Sequence, residues 1–201
     1  MISDKSRFEQ TIAKFDAANA EDPNKEIFAG KEYPKEVLYA QRMSEMLNRF
    51  APDAPEHVQL AVRAQHICRW KIPRNTYSMD KAGYHQWRTC LYKFHGDMAG
   101  SIMQEAGYDQ DIIDKLKSLL SKDNLQLNPE TQLLEDVVGL TFLEYYFQAF
   151  VNKYSKQYDE KKLLEIVQKI WKKMSEKGHL AALKLNYTPE VLMLVKKALG
   201  I

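Results

Sequence analysis

Residues 63–74, RAQHICRWKIPR, set one histidine among three arginines, a tryptophan and a lysine. Arg63, His66 and Arg69 are spaced by three, which on a continuing helix places them on one stripe with Trp70 at its end. A histidine between two cations has its protonated form disfavoured, so His66 is expected to be neutral near pH 7 and suited to act as a ligand or base. Guanidinium groups bind phosphate or carboxylate through paired hydrogen bonds. From Arg63 to His95 the chain carries four of its seven arginines (Arg63, Arg69, Arg74, Arg88), with Lys71, Lys81 and Lys93, against the single acid Asp80. That segment is therefore +6 and the remainder −4, within a net charge of +2. It also holds Trp70, Tyr77, Tyr84, Trp87, Tyr92 and Phe94, whose faces suit bases or guanidinium groups. A concentrated anion site is the reading favoured over a merely solvated basic face.

Two further groups stand out. His95 begins a turn whose Met98, Ile102 and Met103 supply a core face, so its ring is expected to point inward. Glu135 and Asp136 open the most apolar stretch of the chain, where a buried carboxylate needs a partner, a metal or solvent. His57, His85 and His179 are expected to be surface or capping histidines.

The elements that must position these groups are helical. Apolar residues recur with helical period nearly throughout, without strand alternation. Helices are expected over about 4–19, from Pro34 to Phe50, from a cap at Asp53 to about Lys71, and from Asp80 to about Ala106. Further helices are expected over 110–121, 129–154, 159–176, 178–184 and 189–199. Residues 20–33 and 122–130 are expected as loops, and Gly83, Gly96 and Gly100 as break points. Asn128 before Pro129 is a strong helix start, and a helix from there to Tyr154 would span about 39 Å at ~1.5 Å per residue. The expectation is one all-α domain over 1–201, a bundle of about eight to nine helices.

Composition narrows the class. The chain has 201 residues, 45% hydrophobic and 28% charged, which is ordinary for a globular protein. The amino terminus has no signal-like apolar run. Residues 137–151 are too short and too polar to span a bilayer. Cys68 and Cys90 match no disulfide framework and are expected as reduced thiols in a cytoplasmic protein.

The order of these residues resembles the HD-domain phosphohydrolases, all-α metal enzymes, across residues 35–150. VRAQHICRW resembles the helix ending in His-Asp, with His66 in the histidine place and Ile67 where the aspartate belongs. HGDMAGSIMQEAG resembles the following histidine segment, led by His95. LLEDVVGLTFLE resembles the helix bearing the last aspartate, with Asp136 in its place, and the first-histidine position falls near Tyr39. The resemblance implies an HD-like core at about 35–150 with helices 159–199 packed on it. It also implies that His66, His95 and Asp136 form a His₂-carboxylate set for a divalent metal.

Over 34–185, RAQHICRWKIPR, AGYHQWRT, YKFHGD and LEDVVGLTFLE are also similar to an uncharacterised family of small helical proteins, catalogued as a domain of unknown function. Some of its members carry the label glutamyl-tRNA synthetase. HICR and KMSEK echo the two class I synthetase signatures, but the βαβ framework that presents those signatures to ATP is missing, which excludes that reading.

Two functions follow from these residues. One is a metal-dependent phosphohydrolase of nucleotides or phosphorylated metabolites, with His66, His95 and Asp136 catalytic and Arg63, Arg69, Arg74 and Arg88 holding phosphate. The other is a non-catalytic RNA- or nucleotide-binding module built on segment 63–95. A third alternative is structural, with Glu135 and Asp136 pairing Arg63 or Arg69 between core helices.

Overall fold

The computed structural model describes residues 2–122, 125, 127–154 and 159–201. Among the described residues the architecture is all-α with one small hairpin, and the chain divides into two compact units, Met1–Leu125 and Gln126–Ile201. The boundary falls inside the 35–150 stretch expected as a core. Residues 123, 124 and 126 of the expected 122–130 loop lie outside the described residues.

The first unit begins with α1 (Lys5–Ala20), whose N-cap Asp4 accepts from the Arg7 amide. An antiparallel hairpin follows, β1 (Lys25–Phe28) and β2 (Lys31–Pro34), in a region expected to be a loop. Phe28 pairs with Lys31, leaving a two-residue turn in which Ala29 and Gly30 both have positive φ. That turn matches the twist of a hairpin, but its first position is an alanine, so the usual Asn-Gly or Asp-Gly signal is missing.

α2 (Lys35–Phe50) buries Leu38, Met43, Met46 and Leu47. α3 (Glu56–Ala64) starts at Pro55 rather than on an Asp53 side-chain cap, and it stops seven residues before the expected end at Lys71. Beyond it Cys68 adopts a left-handed conformation at φ 51° and leads into two short 3₁₀ turns, Arg69–Lys71 and Arg74–Thr76. Its amide donates to Asn19 Oδ1 at the end of α1, which holds the turn in place.

α4 (Lys81–Glu105) runs unbroken through its glycines from N-cap Asp80. Those glycines are packing positions. A Cβ on Gly100 would sit 3.1 Å from Ile113 Cγ2 and 2.5 Å from Lys117 Cε of α5 (Gln110–Ser121). Phe15, Leu60, Ile67, Leu91, Met103 and Leu116 lie in the core that these helices enclose.

The second unit opens with α6 (Pro129–Thr141), capped as expected by the Asn128 side chain. The expected continuous helix to Tyr154 instead widens into a π-turn over Phe142–Tyr146, where the Phe147 amide reaches Phe142 O, before α7 (Phe147–Tyr154). α8 (Glu160–Trp171) ends well short of 176, and α9 (Glu176–Ala182) and α10 (Pro189–Leu199) follow. No helix among the described residues is long and apolar enough to cross a membrane.

Candidate functional site

The site lies in the first unit, where the turn after α3 faces α2 and α4. Because α3 ends at Ala64, the expected Arg63–His66–Arg69 stripe does not form. Arg63 is buried and turns toward α1. Its Nε donates to Asp16 Oδ1 at 2.8 Å and its Nη2 to Asp16 Oδ2 at 2.5 Å, with Ser44 Oγ also in reach. It serves as a structural tie between helices.

His66 is gripped from three sides. Arg69 Nη1 donates to His66 Nε2 at 2.9 Å. A guanidinium has only donors, so Nε2 is the acceptor and the ring proton sits on Nδ1. Nδ1 faces Glu36 Oε2 at 3.5 Å. The Tyr39 ring stacks on the imidazole at 4.1 Å and 14°. Burial first, and then the neighbouring cations Arg69, Arg88 and Lys122, hold His66 well below the ordinary imidazole range. Neutrality is as expected, although Arg63 has no part in it. The His66 side chain keeps 24% of its surface exposed, so the cluster is reachable from solvent.

His95 points into the core as expected, with 2% exposure. Its Nδ1 lies 2.9 Å from the carbonyl oxygen of Ile67, and its ring centre lies 6.0 Å from that of His66. A carbonyl only accepts, so Nδ1 carries the proton and Nε2 presents a bare lone pair. Nε2 is buried and has no hydrogen-bond partner among the described residues. Burial is the main cause that lowers its pKa to about 3; Arg69 and Arg88 push the same way and the Ile67 carbonyl opposes them.

The remaining arginines are laid on aromatic rings. Arg69 sits over Trp87 at 4.7 Å, and Trp87 itself donates from Nε1 to Ile72 O. Arg88 donates to the phenol oxygens of Tyr84 at 3.2 Å and, from Nε, of Tyr92 at 3.1 Å. Among the described residues neither Arg69 nor Arg88 lies in a carboxylate's hydrogen-bonding grip. Arg74 donates to the Tyr77 and Asp80 carbonyls, closing its own loop, and lies over Trp87 and Tyr84 at 5.9 Å.

Glu36 is the carboxylate that composition did not point to. It is 5% exposed on the first turn of α2. Burial pushes it up to about 7, while Arg69 and Lys35 pull it back. The signal was an acid four residues before Ala40 and seven before Met43, in line with an apolar stripe.

Asp136 belongs to the second unit and has a different occupation. Its Oδ1 accepts from the Ser175 amide at 2.7 Å and from Gln132 Nε2 at 3.1 Å, and its Oδ2 accepts from Ser175 Oγ at 2.5 Å. Ser175 in turn caps α9 through Gly178, where a Cβ would stand 2.7 Å from Asp136 Oδ1. Glu135 pairs with Lys173 at 3.4 Å. The pairing of these acids with Arg63 or Arg69 is thereby corrected: Arg63 is taken by Asp16 and Asp136 by Ser175. His57 is buried rather than superficial, His85 is exposed, and His179 stacks on Trp171 at 4.1 Å.

The residues present do not fit the divalent metal that the HD resemblance implies. Tyr39 and the fully buried, apolar Ile67 stand where a histidine and an aspartate would ligate. The Nε2 lone pair of His66 is taken by Arg69, and Arg69 and Arg88 both act on both imidazoles. Among the described residues no group of three or more His, Cys, Asp or Glu side chains is placed to hold a metal ion.

No curated protein and no solved structure matches this sequence. A family model does, over residues 9–195, a longer span than the 34–185 whose motifs carried the resemblance. The chain thus belongs to the family described as a domain of unknown function, DUF4202.

Proposed function

We propose that the first unit binds a small phosphate-bearing ligand, a nucleotide or phosphorylated metabolite, at the cluster of Arg69, Arg88, His66 and His95. One observation carries this reading: Arg69 donates to His66, whose ring stands 6.0 Å from that of His95, Arg88 donates to the Tyr84 and Tyr92 phenols, and neither guanidinium is held by a carboxylate among the described residues. Glu36, the nearby acid, is itself part-protonated near neutrality, so it does not cancel two cations. A half-buried pair of arginines that Glu36 compensates only in part is a standing attraction for a multivalent anion.

Binding is favoured over metal-assisted phosphohydrolysis, because the ligand set for a metal is filled by Tyr39, Ile67 and the Arg69 donor. Stacking of single-stranded RNA is disfavoured by the rings themselves. Trp87, Tyr84 and Tyr92 already have guanidiniums over their faces. Free thiols at Cys68 and Cys90 support a reducing, cytoplasmic setting.

The test is thermal denaturation with pyrophosphate, AMP and ATP, each with and without EDTA. A ligand at ten times its Kd adds ~1.4 kcal/mol to stability, a readable rise in Tm. The expected result is a rise that EDTA leaves intact and Arg69→Ala abolishes. Arg63→Ala should lower the starting Tm yet keep the ligand-induced rise. Silence across the panel, or a rise that EDTA removes, overturns the proposal.

A further inference from the structure

We propose that the buried Nε2 of His95 accepts a hydrogen bond from a P–O–H group, so that the site takes a phosphate carrying a proton and rejects an anion that has none. The inference rests on the anion-site reading above and adds the chemical form of the ligand to it.

The argument is one of donors and acceptors. Arg69 and Arg88 offer only N–H groups, which any tetrahedral oxyanion satisfies equally. His95 differs from both. Its Nδ1 proton is fixed by the Ile67 carbonyl 2.9 Å away, which leaves Nε2 as a pure acceptor. That atom is shielded from solvent and has no partner among the described residues, so a ligand reaches it by displacing the side chains that cover it. Buried polar atoms are almost always paired, so an orphan inside a cationic cluster points to a group that arrives with the ligand.

The neighbouring imidazole does not share this property. The corresponding atom of His66 is already satisfied by Arg69, and its Nδ1 proton faces Glu36. His95 alone of the pair therefore supplies an empty acceptor. Against it, a bare oxyanion oxygen would set lone pair against lone pair, whereas a P–O–H would donate. Hydrogenphosphate and phosphate monoesters in their monoanionic form carry such a proton near neutral pH. Sulfate, of the same shape and size, does not.

The experiment is calorimetric titration of the full chain with inorganic phosphate and with sulfate, at pH 7 and constant ionic strength. A hydrogen bond to a neutral acceptor, set against a repulsive contact in its place, corresponds to a preference of ~tenfold or more for phosphate. The preference should vanish in His95→Phe, while Arg69→Ala weakens both anions together. Because the phenylalanine variant loses the bond to Ile67 and can misfold, nitrogen-15 spectra of wild-type imidazoles supply a second readout. Phosphate should shift the His95 Nε2 resonance away from its bare-acceptor position, and sulfate should not. Equal affinity for the two anions, or an unmoved Nε2 resonance, overturns this inference and leaves the anion site standing. Binding of neither anion overturns both.

Discussion

Three arginines spread from the end of α3 through the two 3₁₀ turns show how differently the same chemistry can be employed. Arg63 is neutralised by Asp16 and serves packing, Arg69 donates to a histidine, and Arg74 ties a loop through two carbonyls. The two histidines and Glu36 carry opposite pH linkages. His66 and His95 are neutral in the folded state but protonate below about pH 6.5 when unfolded, so their contribution is lost as pH falls below that value. Glu36 is raised to about 7, so between about pH 4.5 and 7 the folded state binds a proton that the unfolded state lacks. Its contribution is present at the acid end and is lost as pH rises through 7. Each group contributes a slope of at most ~1.4 kcal/mol per pH unit in its window. In urea denaturation at pH 7 and pH 5, His95→Phe should reduce the loss of stability on acidification and Glu36→Gln should enlarge it. The reverse pattern would refute these protonation states.

Helix ends decide where the side chains go. α3 stops at Ala64, and the left-handed Cys68 turns the next residues out of the helical register, which separates Arg63 from His66 and Arg69. In the second unit α8 stops at Trp171 because the chain turns to place Ser175 on Asp136, and that serine then starts α9. A carboxylate held this way acts on the amide end of the helix as well as on the hydroxyl. Asp136→Asn keeps the shape but trades an acceptor oxygen for a donor against the Ser175 amide or hydroxyl. It should cost ~2 kcal/mol, within the range for a charged hydrogen bond lost in a buried setting. Urea denaturation would read this loss; a variant as stable as wild type would show that Asp136 does not hold α9.

Across the whole molecule, charge is concentrated rather than abundant. A net +2 over 201 residues supplies little long-range attraction, so any anion affinity must come from the half-buried cluster. Short-range, partly buried charges are screened less by salt than an exposed basic face. Phosphate affinity should therefore fall only a few-fold between 50 and 200 mM salt, roughly as for one or two released counterions. A much steeper decline in log Kd against log salt would instead mark an extended surface for a polyanion.

Helical periodicity, the helix starts near Asp4, at Asp80 and at Asn128, and the helix end near Ala106 were legible in the sequence, because each depends on residues within one turn of each other. So were the inward turn of His95 and the neutrality of His66. Local sequence also misled in identifiable places. The hairpin turn uses alanine where asparagine or aspartate is usual, and the helical spacing past Ala64 continues in residues that are not helical. Tertiary structure alone decided which arginine is neutralised, which aspartate anchors the serine that caps α9, and that Glu36 joins the histidines. Those outcomes depend on partners 17 to 49 residues distant, brought together by packing that no local spacing encodes: Asn19 reaches both Glu36 and Cys68, and Arg63 reaches Asp16.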